Sequence, residues 1–289
     1  MIPIPVGMSI RFDGRSYRPA TDEILFARQH GFTVLQFRGA VDGLDASRLG
    51  DSLGAVCAAL TANDMAAVME ITLGLTARGV AHRGYQLLMV LEANLPAITT
   101  LGCAHVHLHL VPSGAFTGTA TSTVEGDLVP QFAAALEVAH RHGFRLGFEH
   151  NEAGAPLLST PHACATLLQA VPALGFVWDI NHCTTEQGAE YLALMPHMTL
   201  LHISDTPLPA VNHHLPLGEG SVDLAACGRA LRAAGFAGPA ILEIGGTATA
   251  GGFGRDTDRA LIASRERLRR ALIGEELPPS AHGVAQGGG

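Results

Sequence analysis

The sequence predicts a (β/α)₈ barrel, and three observations support that fold class. Short apolar runs alternate with longer segments of helical spacing, about eight times in about 270 residues. Several runs follow a glycine that ends a helix and finish in a polar cluster, as in HGFRLGFEHNE and LGFVWDINHC. Nearly uninterrupted apolar strands are typical of parallel sheets covered on both faces. A doubly wound open sheet is the alternative, but no glycine-rich phosphate loop follows a strand.

Eight strands are predicted in order along the chain, at 4–10, 32–37, 66–72, 104–110, 144–148, 176–180, 199–203 and 240–244. The intervals have helical spacing: Phe132, Leu136 and Ala139 share one face before Gly143. Ser221 is predicted to cap the helix before the eighth strand. No linker divides the chain, so we predict a single domain over 1–273. A Pro/Gly-rich tail over 274–289 is predicted to be flexible.

Composition excludes several classes of function. The net charge is −8, which argues against nucleic-acid binding through a basic surface. All 18 basic residues are arginine, so no lysine is present for a Schiff-base mechanism. The five cysteines include no C-x-x-C pair, and we expect free thiols in a reducing cytoplasm. The start MIPIPVG is a poor signal peptide, and no apolar run is long enough for a membrane span.

Four successive strands end in groups that bind metals. The fifth strand ends at Glu149, the sixth at Asp179, the seventh carries His202 and the eighth carries Glu243. The carboxyl ends of barrel strands meet at one mouth, where the chemistry of such barrels lies. Without a cation, the crowded carboxylates would raise one another's pKa values. We therefore predict a shared site for one divalent cation. Taken singly, each acid is also explained as a helix cap or loop residue, and His202 as a core histidine.

Other polar groups are predicted to line the same mouth. His182 follows Asp179 by three residues, where it would reach a substrate or a second ion. The H-x-P-x-G-x-G segment that starts at His214 predicts a turn that returns this histidine to the mouth. A purely structural turn is the alternative. Arg38 ends the second strand, where it would bind a carboxylate or phosphate or instead pair with Glu70.

The motifs EHNE, WDINH, HISD, HHLPLGEGSVD and ILEIGG, in that order, resemble those of the xylose isomerase-like TIM barrels. That superfamily includes sugar isomerases and epimerases, dehydratases and the family 2 apurinic/apyrimidinic endonucleases. The resemblance implies that Glu149, Asp179, His202 and Glu243 hold one divalent ion. Mn²⁺ ranks first, with Mg²⁺, Co²⁺ or Zn²⁺ as alternatives. The resemblance also implies that His182 and His214 contact substrate, or a second metal in the nucleases.

This sequence departs from the motifs of some members of the superfamily, and these differences favour some functions over others. The endonucleases need extra histidines from the third and fourth strands, and the third strand here ends EITLGLTARG without one. The fourth strand, HVHLHL, offers His109 as a pocket-lining residue. Asn212 stands where the endonucleases carry an aspartate. The xylose isomerases proper use a lysine that this chain lacks. Arg38 replaces a glutamate that is common in the sugar epimerases.

The resemblance implies an isomerase or epimerase of a ketose or related polyol-like carbonyl compound. Glu149 and Glu243 would act as acid and base, while Glu152 and His214 would hold hydroxyl groups. A lyase is the first alternative: a dehydratase, or a subunit that cleaves C-glycosides. An endonuclease-like phosphodiesterase and a non-catalytic sugar-binding barrel rank lower. We expect a small sugar-like substrate, no nucleic-acid or membrane partner, and a homo-oligomer, since barrels of this group are often dimers or tetramers.

Overall fold

The eight predicted strands form a closed parallel barrel. The computed structural model describes residues 3–11, 18–78, 86–245 and 254–278. Each strand pairs with the next, and β1 pairs in parallel with both β2 and β8, so the sheet closes. Closure confirms the (β/α)₈ barrel and rules out the open sheet. The strands are β1 Val6–Ser9, β2 Val34–Gly39, β3 Ala66–Leu75, β4 His105–Pro112, β5 Arg145–Glu149, β6 Gly175–Asp179, β7 Met198–Ile203 and β8 Ala240–Leu242.

Helices connect successive strands and cover the outside of the barrel. They are α1 Ala20–Gln29, α2 Ala46–Leu49, α3 Leu53–Ala62, α4 Leu87–Leu101, α5 Gly118–His142, α6 Pro161–Ala170, α7 Thr185–Tyr191, α8 Leu224–Ala233 and α9 Asp258–Ile273. The predicted face of α5 is confirmed, because Phe132 and Ala139 are buried and Leu136 packs against the same core. Short 3₁₀ helices, Ile180–His182 and Leu192–His197, flank α7.

The inside of the barrel has an apolar floor below a polar layer. The floor is a small separate cluster of Val34, Val68, Val177, Leu200 and Ile241. Side chains two residues further along each strand point the same way, because strand side chains alternate between faces. The polar layer therefore lies nearer the carboxyl ends of the strands, where a substrate can enter.

One predicted cap is wrong. Asp223, and not Ser221, caps α8, because the Asp223 carboxylate accepts the N–H of Ala226. Ser221 instead donates to the carbonyl of Thr206. An aspartate at the N-cap position satisfies a helix N–H as well as serine does, and it lies directly before the first helical residue.

The beginning of the predicted tail packs against the barrel. Leu277 contacts the main hydrophobic core, and Glu275 pairs with Arg269. The rest of that predicted flexible segment, 279–289, lies outside the described residues. In the described part of the chain, none of the helices combines the length and apolar character needed to cross a membrane.

Candidate metal centre

Each strand contributes one polar side chain to the layer above the apolar floor. In strand order these are Ser9, Gln36, Glu70, His107, Glu149, Asp179, His202 and, directly after β8, Glu243. All but Glu243 are less than 9% exposed, and the Glu243 side chain is 10% exposed. Burying so many ionisable groups together costs free energy unless they are paired or bind a metal.

The structure brings the four predicted ligands together. One ligand atom from each of Glu149, Asp179, His202 and Glu243 can be chosen so that all four lie within 4.8 Å of one another. His202 Nδ1 is 3.1 Å from Glu149 Oε1 and 3.4 Å from Glu243 Oε2. These separations leave room for an ion bound at about 2.0–2.2 Å from each atom.

The hydrogen bonds around these residues leave the ligand atoms without partners. Both oxygens of Glu149, Oδ2 of Asp179 and Nδ1 of His202 are buried and have no hydrogen-bond partner. Asp179 uses its other oxygen to accept from the Asn181 N–H, and Glu243 uses Oε1 to accept from Ser9 and Gln36. Unpartnered buried acceptors are rare, and here they converge on one point. The residues present therefore fit a divalent cation.

Gln36 connects two of these ligands, and the sequence analysis did not single it out. Its Oε1 accepts from Nε2 of His202 at 2.7 Å, which leaves Nδ1 of His202 for the metal. Its Nε2 donates to Glu243 at 2.8 Å, to Ser9 at 2.9 Å and to Glu70 at 3.1 Å. One fully buried amide thus fixes the tautomer of His202 and the orientation of Glu243.

Glu70 and His107 are two further ionisable groups inside the barrel. Glu70 accepts from Gln36 and, at 2.9 Å, from the hydroxyl of Thr72, and it lies 3.8 Å from His109. His107 lies 3.8 Å from Glu149, and neither of its ring nitrogens has a hydrogen-bond partner. Burial lowers the pKa of His107 to about 3, so its ring is neutral at physiological pH.

The acidic surroundings raise the basicity of two histidines. Burial alone would lower the pKa of His202, but Glu149 and Glu243 raise it to about 10. Burial likewise opposes the charge on His109, but Glu149 and Glu70 raise its pKa to about 9. Burial raises the pKa of Glu149, but His109 and His202 outweigh it and the net pKa is lowered. Without a metal, protons on these histidines offset the carboxylate charge.

His182 lies beside Asp179, and its contact with a substrate or a second ion stays a prediction. The 3₁₀ turn Ile180–His182 brings its Nε2 to 3.2 Å from Asp179 Oδ2. Its Nδ1 donates to the carbonyl of His150 at 3.0 Å. His109 Nδ1 lies 3.6 Å from Glu149 Oε2, and its ring is 5.5 Å from that of His182.

The loop after β7 returns His214 to the mouth, as the H-x-P-x-G-x-G pattern predicted. His214 Nδ1 donates to the backbone carbonyl of Glu243 at 2.9 Å, and its ring lies 5.8 Å from that of His182. The buried carboxylate of Asp205 holds this loop by accepting from the N–H groups of Gly218 and Val222. Asp205 at the end of HISD is therefore an anchor of the loop.

Two other predicted substrate residues lie at the mouth without contacting the metal ligands. Arg38 is exposed at the end of β2 and forms no ion pair with Glu70 within the described residues. Its pairing with Glu70, the alternative interpretation, is thus not what the structure shows. Glu152 is half-buried in the loop after β5, and its carboxylate makes no hydrogen bond or ion pair with any described residue. Its role stays a prediction.

A family model described as the xylose isomerase-like TIM barrel matches residues 24–271. This chain belongs to the xylose isomerase-like TIM barrel family. The match covers most of the chain, in agreement with the resemblance that the sequence motifs indicated. Among curated proteins, no significant match is found.

Several solved structures share this fold at low identity. A D-allulose 3-epimerase from Methylomonas sp., in complex with D-allulose, is 17% identical with a TM-score of 0.72 over 94% of this chain and 98% of that one. The IOLI protein with a bound zinc atom is 14% identical with a TM-score of 0.71, over 93% and 98%. A family 2 AP endonuclease from Brucella melitensis is 15% identical with a TM-score of 0.64, over 84% and 93%.

Metal binding by this family member should release a proton. With its pKa at about 10, His202 is protonated at neutral pH in the metal-free state. Coordination needs Nδ1 free, so affinity for Mn²⁺ should rise about tenfold per pH unit below that pKa. Calorimetry at pH 7.5 in two buffers of different ionisation enthalpy should give about one proton released per ion. Equal heats in both buffers would contradict a protonated His202 in the metal-free state.

Substituting Gly220 with alanine should disturb the loop that carries His214. A Cβ at this position would overlap the Asp205 carboxylate and the backbone of Thr206. We expect the free energy of unfolding to fall by about 1–3 kcal/mol, as for other overpacked sites. The control is Gly126→Ala on the exposed side of α5, where a Cβ meets nothing and alanine favours the helix. Chemical denaturation of both variants gives the comparison, and equal stability would refute the packing argument.

Proposed function

We propose that this chain is a divalent-metal-dependent isomerase or epimerase of a ketose or a related polyhydroxylated carbonyl compound. The observation that carries the proposal is that Glu149 and Glu243 both lie close to His202 Nδ1, at 3.1 and 3.4 Å. Two carboxylates that flank one ion can serve as an acid and a base on the same substrate. The D-allulose 3-epimerase fold neighbour supports a sugar substrate.

The chemistry follows from the positions of the two carboxylates. When bound, a divalent ion supplies a Lewis acid for the carbonyl oxygen and the neighbouring hydroxyl of such a substrate. One glutamate removes the proton from the carbon α to the carbonyl, which leaves an enediolate, and a glutamate returns a proton. Return to the same carbon from the opposite face gives an epimer, and return to the neighbouring carbon gives an isomer. Loss of a β-hydroxyl from the enediolate gives the dehydration that a lyase would catalyse.

The polar groups around this position would hold the substrate. The rings of His182 and His214 pack edge to face, and His109 lies beside Glu149. Together with Glu152 and Arg38, they offer donors and acceptors for the hydroxyl groups of a sugar-like molecule.

Deuterium exchange tests this function without knowledge of the product. The protein, loaded with Mn²⁺, is incubated in D₂O with D-fructose, D-allulose or D-tagatose, and the mass of the recovered ketose is measured by mass spectrometry. We expect a gain of one mass unit per exchanged α-proton, lost when the metal is removed with a chelator. Absence of exchange in every ketose and keto-cyclitol tried would count against an enediolate enzyme.

A metal-dependent phosphoester hydrolase is the second candidate. Three further sets of potential ligands share residues with the first, and two of them include His182, namely His109–Glu149–His182 and Asp179–His182–His214. Hydrolysis of phosphoesters often uses neighbouring ions bridged by shared carboxylates. This function requires two or three ions per chain, so the number of bound ions separates the two candidates.

A further inference from the structure

Arg38 occupies an unusual position at the mouth of the barrel. Val34, Gln36 and Arg38 alternate along β2, and the first two point inward, so Arg38 lies on the same face as Gln36. It stands two residues beyond Gln36, about 7 Å closer to the solvent along the strand. Arg38 therefore lies on the barrel-facing side of β2, closer to the solvent than the candidate metal centre, and the carboxylates Glu243 and Glu149 act on its charge.

The guanidinium of Arg38 has no protein partner within the described residues. In contrast, Arg11 and Arg18 both pair with Glu23 and Asp258 near the same mouth. Glu70 faces Arg38 in the strand register, yet its oxygens accept from Gln36 and Thr72 instead. An arginine that lies at a binding site without an acidic partner can bind an anionic ligand.

The surroundings keep this cation charged. Desolvation by itself lowers the pKa of Arg38, but Glu70, Glu243 and Asp256 raise it overall. One divalent ion and a proton on His109 do not offset the charge of all four carboxylates at the site, Glu70, Glu149, Asp179 and Glu243. An anionic substrate would be repelled from such a site unless a cation offset the excess, whereas a neutral sugar needs no such cation.

We propose that the substrate carries a carboxylate or phosphate several bonds from its carbonyl group and that Arg38 binds this anion. The inference rests on the proposed function, because it takes the carbonyl end of the substrate to be at the metal centre. It narrows the substrate class from neutral ketoses to anionic ones. The competing explanation is that Arg38 only balances the charge of the acidic cluster.

Three ketoses that differ only at C6 provide the test. D-fructose, D-fructuronate and D-fructose 6-phosphate are compared in the D₂O exchange assay with the Mn²⁺-loaded protein, and their binding is measured by calorimetry. We expect one of the two anionic ketoses to have a kcat/KM or an affinity at least tenfold better than D-fructose. The better of the two shows whether the site prefers a carboxylate or a phosphate.

Variants of Arg38 separate binding from charge balance. Arg38→Met should lower kcat/KM for the anionic ketose ~10- to 100-fold more than it lowers kcat/KM for D-fructose, mainly because KM rises. Arg38→Lys should recover part of the loss, because it keeps the charge without the bidentate geometry. The control is Arg141→Met, an exposed arginine near the end of α5 at the opposite face of the barrel.

The outcomes are distinct. If Arg38→Met changes kcat/KM and affinity equally for neutral and anionic ketoses, the proposal is overturned. It is also overturned if no anionic ketose binds better than D-fructose. If an anionic ketose binds in an Arg38-dependent manner but exchanges no proton, Arg38 keeps its role and the isomerase function fails. If D-fructose exchanges as well as the anionic ketoses, the isomerase function holds and the anion site fails.

Discussion

Replacing either Glu149 or Glu243 with glutamine should remove nearly all turnover while the protein keeps its fold. Each carboxylate is assigned both as a metal ligand and as the group that moves a proton, and an amide cannot accept that proton. The expected loss is ~10²- to 10⁴-fold in kcat, the range for removing one acid–base group. Deuterium exchange and metal content, measured on the same samples, separate loss of proton transfer from loss of the ion.

The matched control for these variants is Glu137→Gln on the exposed side of α5. It makes the same chemical change far from the barrel axis and should leave exchange unaffected. Near wild-type exchange in Glu149→Gln or Glu243→Gln would remove that residue from the mechanism. If one glutamate serves as both base and acid, the variant of the other glutamate should regain proton exchange once it is saturated with the metal ion.

Replacing Gln36 with methionine should weaken metal binding without unfolding the barrel. Methionine fills a similar volume but neither accepts the Nε2–H of His202 nor donates to Glu243. Loss of a group that orients ligands typically costs ~10- to 100-fold in metal affinity. We expect the apparent Kd for Mn²⁺ to rise by that factor, with kcat at saturating Mn²⁺ less affected.

Gln169→Met, an exposed glutamine on α6, is the control for this substitution. A thermal unfolding curve of the metal-free variants shows whether Gln36→Met has lost the fold instead. An unchanged Kd for Mn²⁺ in folded Gln36→Met would show that His202 and Glu243 hold their positions without the amide.

The order of strands and the convergence of the four proposed ligands could be predicted from sequence for a physical reason. Parallel strands covered on both faces are apolar along their length, so each polar cluster marks a carboxyl end. Glu149 and Asp179 are the last residues of β5 and β6, which makes them visible in this pattern. His202 and Glu243 lie within one residue of the ends of β7 and β8.

Gln36 and Glu70 were missed because they lie inside their strands. Each lies several residues before the end of β2 or β3, in runs that otherwise look like core. Their height in the barrel depends on the tilt and stagger of neighbouring strands, which one sequence does not specify. A signal was present nonetheless, since a lone Glu or Gln within an apolar parallel strand must find a buried partner.

His107 carried a clearer signal in the sequence, although it lies before the end of β4. Histidines alternate with apolar residues in HVHLHL, a period of two that places His105, His107 and His109 on one face. Only His109 was predicted to line the pocket. The structure places His107 in the layer of Glu149 and His202, with its ring 4.9 Å from that of His202.

Metal content per chain tests the central claim most directly. The protein is purified without chelator, incubated with Mn²⁺, separated from free ions and measured by elemental analysis, with Asp179→Ala treated in parallel. We predict one divalent ion per chain in the wild type and none in Asp179→Ala. Two or three zinc ions would favour phosphoester hydrolysis. No ion, even after incubation with Mn²⁺, would contradict the assignment of Glu149, Asp179, His202 and Glu243 as a metal site.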